Sequence, residues 1–146
     1  MLSTDKKGAI AESAITLAAI ELGIDVYRPL FEGGRYDLIF DVGSRLLRVQ
    51  CKWAVRSGDV VVVRCYSSRR ASEGMRVRKY TATEVDVIAA YCAAVGRCYV
   101  LLPQHFDGRR QFHLRLEPSR NNQRCGINWA NDFLLESLPF AFDLGP

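Results

Sequence analysis

The stretch from Tyr36 to Trp53 constrains the fold of this chain more than any other. Side chains alternate between faces along a β-strand, and two runs here alternate cleanly on either side of Val42-Gly43-Ser44-Arg45. In the first, Asp37, Ile39 and Asp41 share one face, and Tyr36, Leu38, Phe40 and Val42 share the other. In the second, Leu46, Arg48, Gln50 and Lys52 lie opposite Leu47, Val49, Cys51 and Trp53. A short Gly-containing connection joins antiparallel strands, so the spacing predicts a hairpin of strands 36–42 and 45–54. That hairpin turns Asp37 and the Gln50/Lys52 pair toward one space.

Ahead of it, residues 4–22 carry a helical pattern. Three, four and seven residues from Glu12 lie Gly8, Ala9, Ile15, Thr16 and Ala19, a surface of small, mostly apolar groups suited to packing on a sheet. A carboxylate buried there without a partner is strongly disfavoured, and a cation or metal is the usual remedy. Each residue alone has a plainer reading. Glu12 suits an exposed helix position, Asp37 a strand start after Gly33-Gly34, and Gln50 with Lys52 a solvent-facing strand. Together they form a donor set for a hard divalent cation such as Mg2+, which is held by one or two carboxylates and completes its shell with water and phosphate oxygens. Glu12 and Asp37 supply carboxylates, Gln50 an amide oxygen and Cys51 a backbone carbonyl. The Lys52 ammonium suits developing charge on an attacked phosphate, or the placing of a water nucleophile.

The segments Lys7-Gly-Ala-Ile-Ala-Glu12, Tyr36-Asp37-Leu-Ile and Val49-Gln50-Cys51-Lys52-Trp-Ala resemble the PD-(D/E)XK nuclease superfamily. More narrowly, they are similar to the branch containing bacterial intron-encoded homing endonucleases, in which Gln stands where most relatives have Glu or Asp. Lys79-Tyr80, Asp86 to Cys92, Cys98 to Pro103 and Ile127 to Phe133 look like later landmarks of that branch, so the resemblance spans nearly the whole chain. It implies a restriction-endonuclease-like core, Mg2+ as cofactor with Mn2+ as a substitute, and double-stranded DNA as partner. It also implies metal ligation by Glu12 and Asp37, a catalytic-site role for Gln50 and a catalytic Lys52. Tyr36 stands in place of the motif's proline, a position that commonly varies. Gln50 in place of an acid lowers the negative charge of the site and leaves the number of bound metals open.

Basic residues concentrate in two stretches. Arg64, Arg69, Arg70, Arg76, Arg78 and Lys79, with Glu73 as the single acid among them, fall in a Ser/Gly-containing segment that reads as a loop. Guanidinium groups pair bidentately with phosphate, so this segment is a candidate clamp on a nucleic-acid backbone, against the alternative of a solvated surface loop. Arg120, Asn122 and Arg124 form a second candidate. The net charge of +4 neither demands nor excludes such a partner.

At 146 residues and 49% hydrophobic content the chain reads as one domain, 1–146, able to bury a core without staples. Cysteines at 51, 65, 92, 98 and 125 fit neither a zinc ribbon nor a disulfide framework and read as reduced thiols in the cytosol. His105 and His113 have no ligand partner at a telling spacing. No apolar run reaches membrane-span length and no signal core opens the chain, so no membrane association and a cytoplasmic location are expected.

Further strands are expected at 24–30, 58–66, 97–102 and 111–116. A helix is expected from about Thr83 to Val95, on the stripe Val85, Ile88, Ala89, Cys92 and Val95, with a last short helix at 128–137. A crossover through the first of these would pair 58–66 in parallel with 97–102. The fold class is α/β, a central mixed sheet flanked by helices. A single site cuts one strand, and one small module offers a limited interface, so a homodimer or homotetramer is expected. The apolar tail from Leu134 to Phe142 would pack on a partner chain or on the protein's own core. Three functions fit: a site-specific endonuclease of the homing type, a structure-selective nuclease such as a Holliday junction resolvase, or a DNA-binding module without cleavage.

Overall fold

The computed structural model describes residues 1–118 and 125–142. The first helix, α1 (Thr4–Glu21), starts where Ser3 Oγ accepts from the Lys6 amide at 3.2 Å, and Gly23, at φ +85°, turns the chain out of it. Its buried stripe is Ala11, Ile15 and Ala19, four residues apart. Short β1 (Asp25–Tyr27) pairs with β2 (Leu38–Asp41), and β2 with β3 (Leu46–Trp53), forming the expected hairpin with Leu38 opposite Val49. Leu47, Val49 and Cys51 point from β3 into the core under α1, beside Leu38 and Phe40 from β2.

After β3 come β4 (Val55–Ser57), β5 (Val60–Arg64) and a ribbon of β6 (Tyr66–Ala71) with β7 (Gly74–Lys79). The segment expected to be a basic loop is therefore a two-stranded hairpin. Its side chains are largely exposed on both faces, so no apolar alternation marks it in the sequence.

The helix expected at 83–95 is instead strand β8 (Val87–Cys92), parallel to β3 with Gln50 opposite Ile88 and Lys52 opposite Ala90. A continuous apolar run has no periodicity that separates helix from strand. Here both faces are covered: Val87 and Ala89 lie toward α1, while Ile88, Ala90 and Cys92 lie in the opposite core. The parallel pairing thus falls between β3 and β8. The next strand, β9 (Arg97–Leu101), is antiparallel to β8 and is not paired with β5. The main sheet runs β1-β2-β3-β8-β9. The second sheet orders β10-β5-β4, with β10 (Gln111–Arg115) following the short helix α2 (Pro103–Phe106). Val61, Val63, Phe112 and Leu114 of this sheet face Ile88, Ala90 and Leu101 of the main one.

The class is α/β with a central mixed sheet, as expected. Its long helix lies on one face, and a small sheet takes the other. The helix expected at 128–137 is two 3-10 turns, Ala130–Phe133 and Leu135–Ser137, before α3 (Leu138–Ala141). Leu135 and Leu138 are fully buried and Phe142 packs against them, so the apolar tail closes the protein's own core.

Candidate active site

The site arises where β2 stops short of β3. Upstream of Leu38 the chain leaves the sheet, while β3 continues to Trp53. The Asp37 amide still donates to Val49 O at 2.8 Å, but the Cys51 N–H has no strand opposite it and donates instead to Asp37 Oδ2 at 3.0 Å. The N–H and C=O of a strand residue point the same way, so Cys51 O opens into this gap, where it accepts from Gln50 Nε2 at 3.2 Å. Among the described residues Gln50 is the one buried polar side chain, 9% exposed, and its amide oxygen accepts no hydrogen bond from them.

Glu12 reaches the same gap from α1, beside the buried Ala11, and pairs with Arg28 at 2.9 Å. With Asp37 it lines an open cavity of about 310 Å³ whose other walls include Arg28, Glu32 and Gly33-Gly34. Both carboxyls are pushed above their ordinary values. For Glu12 the causes are burial first, against the opposing charge of Arg28, then the charges of Asp37 and Glu32. For Asp37 burial dominates, opposed by the Cys51 amide and by the charges of Lys52 and Arg28. In both, burial rather than the neighbouring charges is the main reason the ionised carboxyl is disfavoured.

Lys52 follows two residues after Gln50 on the same face of β3. Its ammonium donates to Tyr66 O at 2.8 Å and lies 4.8 Å from the centre of the Tyr80 ring. Burial lowers its pKa to about 8, with Asp37 opposing the shift and Arg35 adding to it. Glu12, Asp37, Gln50, Cys51 and Lys52 are thus brought together around the open end of β3.

Among the described residues no three His, Cys, Asp or Glu side chains cluster as a metal site. The donor set is two carboxylates, a Gln amide and the Cys51 carbonyl. All are oxygen donors, as a hard divalent cation requires, and such an ion would favour the ionised form of two carboxyls that burial disfavours. The residues fit.

Of the basic residues expected to meet nucleic acid, Arg69, Arg70 and Arg76 lie on the β6–β7 ribbon, with Arg69 directly opposite Arg76. Arg76 pairs with Glu73 at 2.8 Å, while Arg69 and Arg70 have no hydrogen-bond or ion-pair partner among the described residues. Arg78 and Lys79 are engaged internally, Arg78 with Glu84 at 2.6 Å and Lys79 with Gly108 O at 3.2 Å. Arg120, Asn122 and Arg124 lie outside the described residues. His105 is structural, accepting from the Leu102 amide at 2.9 Å and packing on Phe112 and Phe133.

Arg28, Glu32 and Arg35 escaped the reading of the sequence, and Tyr80 was read there as a landmark of the resemblance but not as part of the site. Arg35, two residues before Asp37, had a positional signal. The others arrive through long-range contacts that no local pattern records.

A helix carboxylate, an Asp at the end of one strand and Gln-Cys-Lys on the next, seated on a mixed sheet, define a nuclease of the PD-(D/E)XK class. The chain belongs to the PD-(D/E)XK endonuclease family, whose sequence model matches residues 2–136. It is also similar to a solved bacterial homing endonuclease, I-Ssp6803I, with 25% identity and a TM-score of 0.76 over 99% of this chain and 100% of that one. No curated protein sequence matches it. PD-(D/E)XK nucleases generally use divalent metals. Among the described residues no helix is long and apolar enough to cross a membrane.

Proposed function

We propose that this protein is a Mg2+-dependent DNA endonuclease that hydrolyses phosphodiester bonds at a specific duplex site, in the manner of a homing endonuclease. The observation that carries the reading is Asp37 fixed on the Cys51 amide at the open end of β3, with Glu12 across the cavity and Lys52 beside it. Glu12, Asp37, the Gln50 amide oxygen and the Cys51 carbonyl would hold the metal. A divalent cation held by them would supply Lewis-acid polarisation of a phosphoryl oxygen and a lowered pKa for the attacking water.

The chain's own residues then have distinct tasks. The Cys51 amide orients the Asp37 carboxylate. Gln50 contributes an oxygen without adding a third charge to Glu12 and Asp37. Lys52, leaving its contact with Tyr66 O, stabilises the charge that builds on the phosphate and orients the nucleophile. The Arg69 and Arg70 guanidiniums pair with the DNA backbone. Arg76, directly opposite Arg69, is already paired with Glu73, which leaves Arg69 and Arg70 as the ribbon guanidiniums open to phosphate.

Assembly into a homodimer or homotetramer belongs to the same reading. With the tail consumed in the core, the large apolar side chains left exposed on α1 are Ile10, Leu17 and Ile20. A cytoplasmic location agrees with four reduced thiols, Cys51, Cys65, Cys92 and Cys98, buried in the cores.

The experiment is cleavage of a supercoiled plasmid library and of a synthetic four-way junction, with Mg2+ or with EDTA. Discrete plasmid products that vanish with EDTA and in Asp37→Ala and Lys52→Ala support the proposal. Cutting of the junction alone would replace it with a junction resolvase. Products that persist in both variants would move the site elsewhere.

A further inference from the structure

The base of the β6–β7 ribbon and the Lys52 side chain meet at one point. Tyr66 opens β6, Lys79 closes β7, and the two are cross-strand partners. Each of their carbonyls is held by a cation. Lys52 Nζ donates to Tyr66 O at 2.8 Å, and an Arg35 terminal nitrogen donates to Lys79 O at 2.8 Å. Arg35 makes three further bonds, to Ser67 Oγ on β6 at 2.8 Å, to Arg78 O on β7 at 3.5 Å and to Glu84 Oε2 at 3.1 Å. The same Glu84 oxygen accepts from Arg78 on β7 at 2.6 Å. The buried Tyr80 ring sits against both cations, with the Arg35 guanidinium 4.3 Å and the Lys52 ammonium 4.8 Å from its centre. One planar fork thus reaches both strands of the ribbon and the aromatic ring that carries the lysine, a combination that needs the five fixed donors of a guanidinium.

The ribbon's mechanical situation makes this junction consequential. It is a separate two-stranded sheet, in the strand ladder of neither larger sheet. Its main attachments lie at its base: the Tyr80 amide on Cys65 O at 3.1 Å, Lys79 on Gly108 O, and the Arg35 and Lys52 contacts. Arg69 and Arg70 lie toward the other end, about 10–13 Å along the strand from Tyr66. A pull on those arginines therefore acts through the base, and the base includes the carbonyl on which Lys52 rests.

We propose that Arg35 is a positioning residue that couples seating of the β6–β7 ribbon on DNA to placement of the Lys52 ammonium, so that a loosely held duplex is cut slowly even when bound. The proposal rests on the reading of the site as a DNA endonuclease with the ribbon as its duplex contact. Without DNA, Lys52 is held on the ribbon's own backbone. When the ribbon seats, the base shifts as one unit because Arg35 ties both strands together, and the ammonium is handed to the phosphate.

The test uses the full chain and a plasmid that the wild type cuts, read in two ways: Kd in Ca2+, and the single-turnover cleavage rate in Mg2+ at saturating DNA. Arg35→Ala is expected to lower the saturated rate about tenfold while Kd stays within about twofold. The pair Arg69→Ala/Arg70→Ala is expected to weaken binding in both backgrounds, and to lower the saturated rate only where Arg35 is present. A purely structural role for Arg35 would not produce that non-additivity. Arg35→Lys keeps the charge over Tyr80 without the fork and should fall between Arg35→Ala and the wild type. Ser67→Ala removes the Arg35–Ser67 bond together with the Ser67 Oγ donation to Arg78 O at 3.4 Å; it should lower the saturated rate in the same direction, and it carries the test if Arg35→Ala fails to fold. Wild-type saturated rates in Arg35→Ala or Ser67→Ala, or tip and Arg35 effects that simply multiply, would overturn the coupling while leaving the endonuclease reading intact. A wild type that cuts no DNA would overturn both.

Discussion

Replacing Asp37 by Asn and by Ala separates the two tasks this carboxylate performs. Its Oδ2 accepts the Cys51 amide at 3.0 Å, and its charge adds to that of Glu12 in one cavity. Asn keeps an oxygen for the amide and deletes the charge. Ala deletes both and leaves a strand N–H without its partner, which costs about 1 kcal/mol or somewhat more at a half-buried position. For a domain of 146 residues, 1 kcal/mol moves the melting temperature by about 3–4 °C. Without metal, Asp37→Ala should therefore melt about 3–4 °C below Asp37→Asn, and Asp37→Asn should melt no lower than the wild type, because a desolvated like charge has gone. Mg2+ reverses the order. At free Mg2+ about ten times Kd, linkage stabilises the wild type by about 1.4 kcal/mol, a rise of about 4–5 °C. Both variants should show almost none of that rise and no cleavage. Differential scanning fluorimetry with and without Mg2+, beside the plasmid assay, reads all of these quantities. An Asp37→Asn protein whose melting temperature still climbs with Mg2+ like the wild type's would refute the assignment of the metal to this cavity.

Other consequences concern the surroundings of the site. Arg28 pairs with Glu12 at 2.9 Å and competes with a cation for that carboxylate, so Arg28→Ala should tighten Mg2+ binding by up to about fivefold in calorimetry; weaker binding would mean that Arg28 organises the site. Arg69→Ala with Arg70→Ala should reduce the slope of log K against log salt by about 2, and an unchanged slope would remove the ribbon from the interface. Asp86 is desolvated, yet the Arg48 bonds at 2.8, 3.0 and 3.1 Å outweigh that and hold its carboxyl below the ordinary 3.8. A depressed carboxyl stabilises the fold above its unfolded pKa and loses that contribution as pH falls through the lower folded value. Asp86→Asn should thus cost about 2 kcal/mol at neutral pH, with the gap to wild type closing below pH 3.8; a constant gap would exclude the linkage. Leu17→Glu, on the exposed face of α1, should shift the protein toward monomer in light scattering, whereas an unchanged mass would take α1 out of the interface.

How much of this was legible in the sequence depended on whether a residue's environment repeats along the chain. The hairpin around Gly43 was, because it buries one face and leaves a period of 2, and the helix at 4–22 was through its small buried residues four apart, Ala11, Ile15 and Ala19, although Ile10, Leu17 and Ile20 on its other face blur the hydrophobic pattern. Strand β8 was not. Val87 to Cys92 is covered on both faces, so its residues carry no phase, and Val85, Ile88, Ala89 and Cys92 fell by chance on a helical stripe. Asp86, which resembles a helix start, is the carboxylate that pins Arg48. The β6–β7 ribbon failed for the opposite reason: solvent on both faces leaves Ser67 to Arg70 with no phase either. The site divides in the same way. Asp37, Gln50 and Lys52 are tied by strand alternation, and Glu12 by its apolar neighbours, so spacing exposes them.

The residues that spacing could not find are those that act through the third dimension, and their chemistry is the complement of the motif. On the proposed reading Glu12, Asp37 and Lys52 carry the charges that hydrolysis of a phosphodiester calls for, but burial disfavours the ionised form of each. Both carboxyls lie above their ordinary values and the lysine well below its own. Arg28 supplies a counter-ion to Glu12, and the Tyr80 ring and Tyr66 carbonyl supply a resting place for the Lys52 ammonium. These supports are weak enough to be displaced, an exposed ion pair and single contacts worth of order 1 kcal/mol. Had Glu12 and Lys52 been locked to each other by a strong buried pair, metal and phosphate would have had to break it before any reaction. The substitution of Gln50 for an acid fits the same logic. With one carboxylate fewer, the site needs one cation fewer, and the partly exposed Arg28–Glu12 pair would give way to a divalent ion.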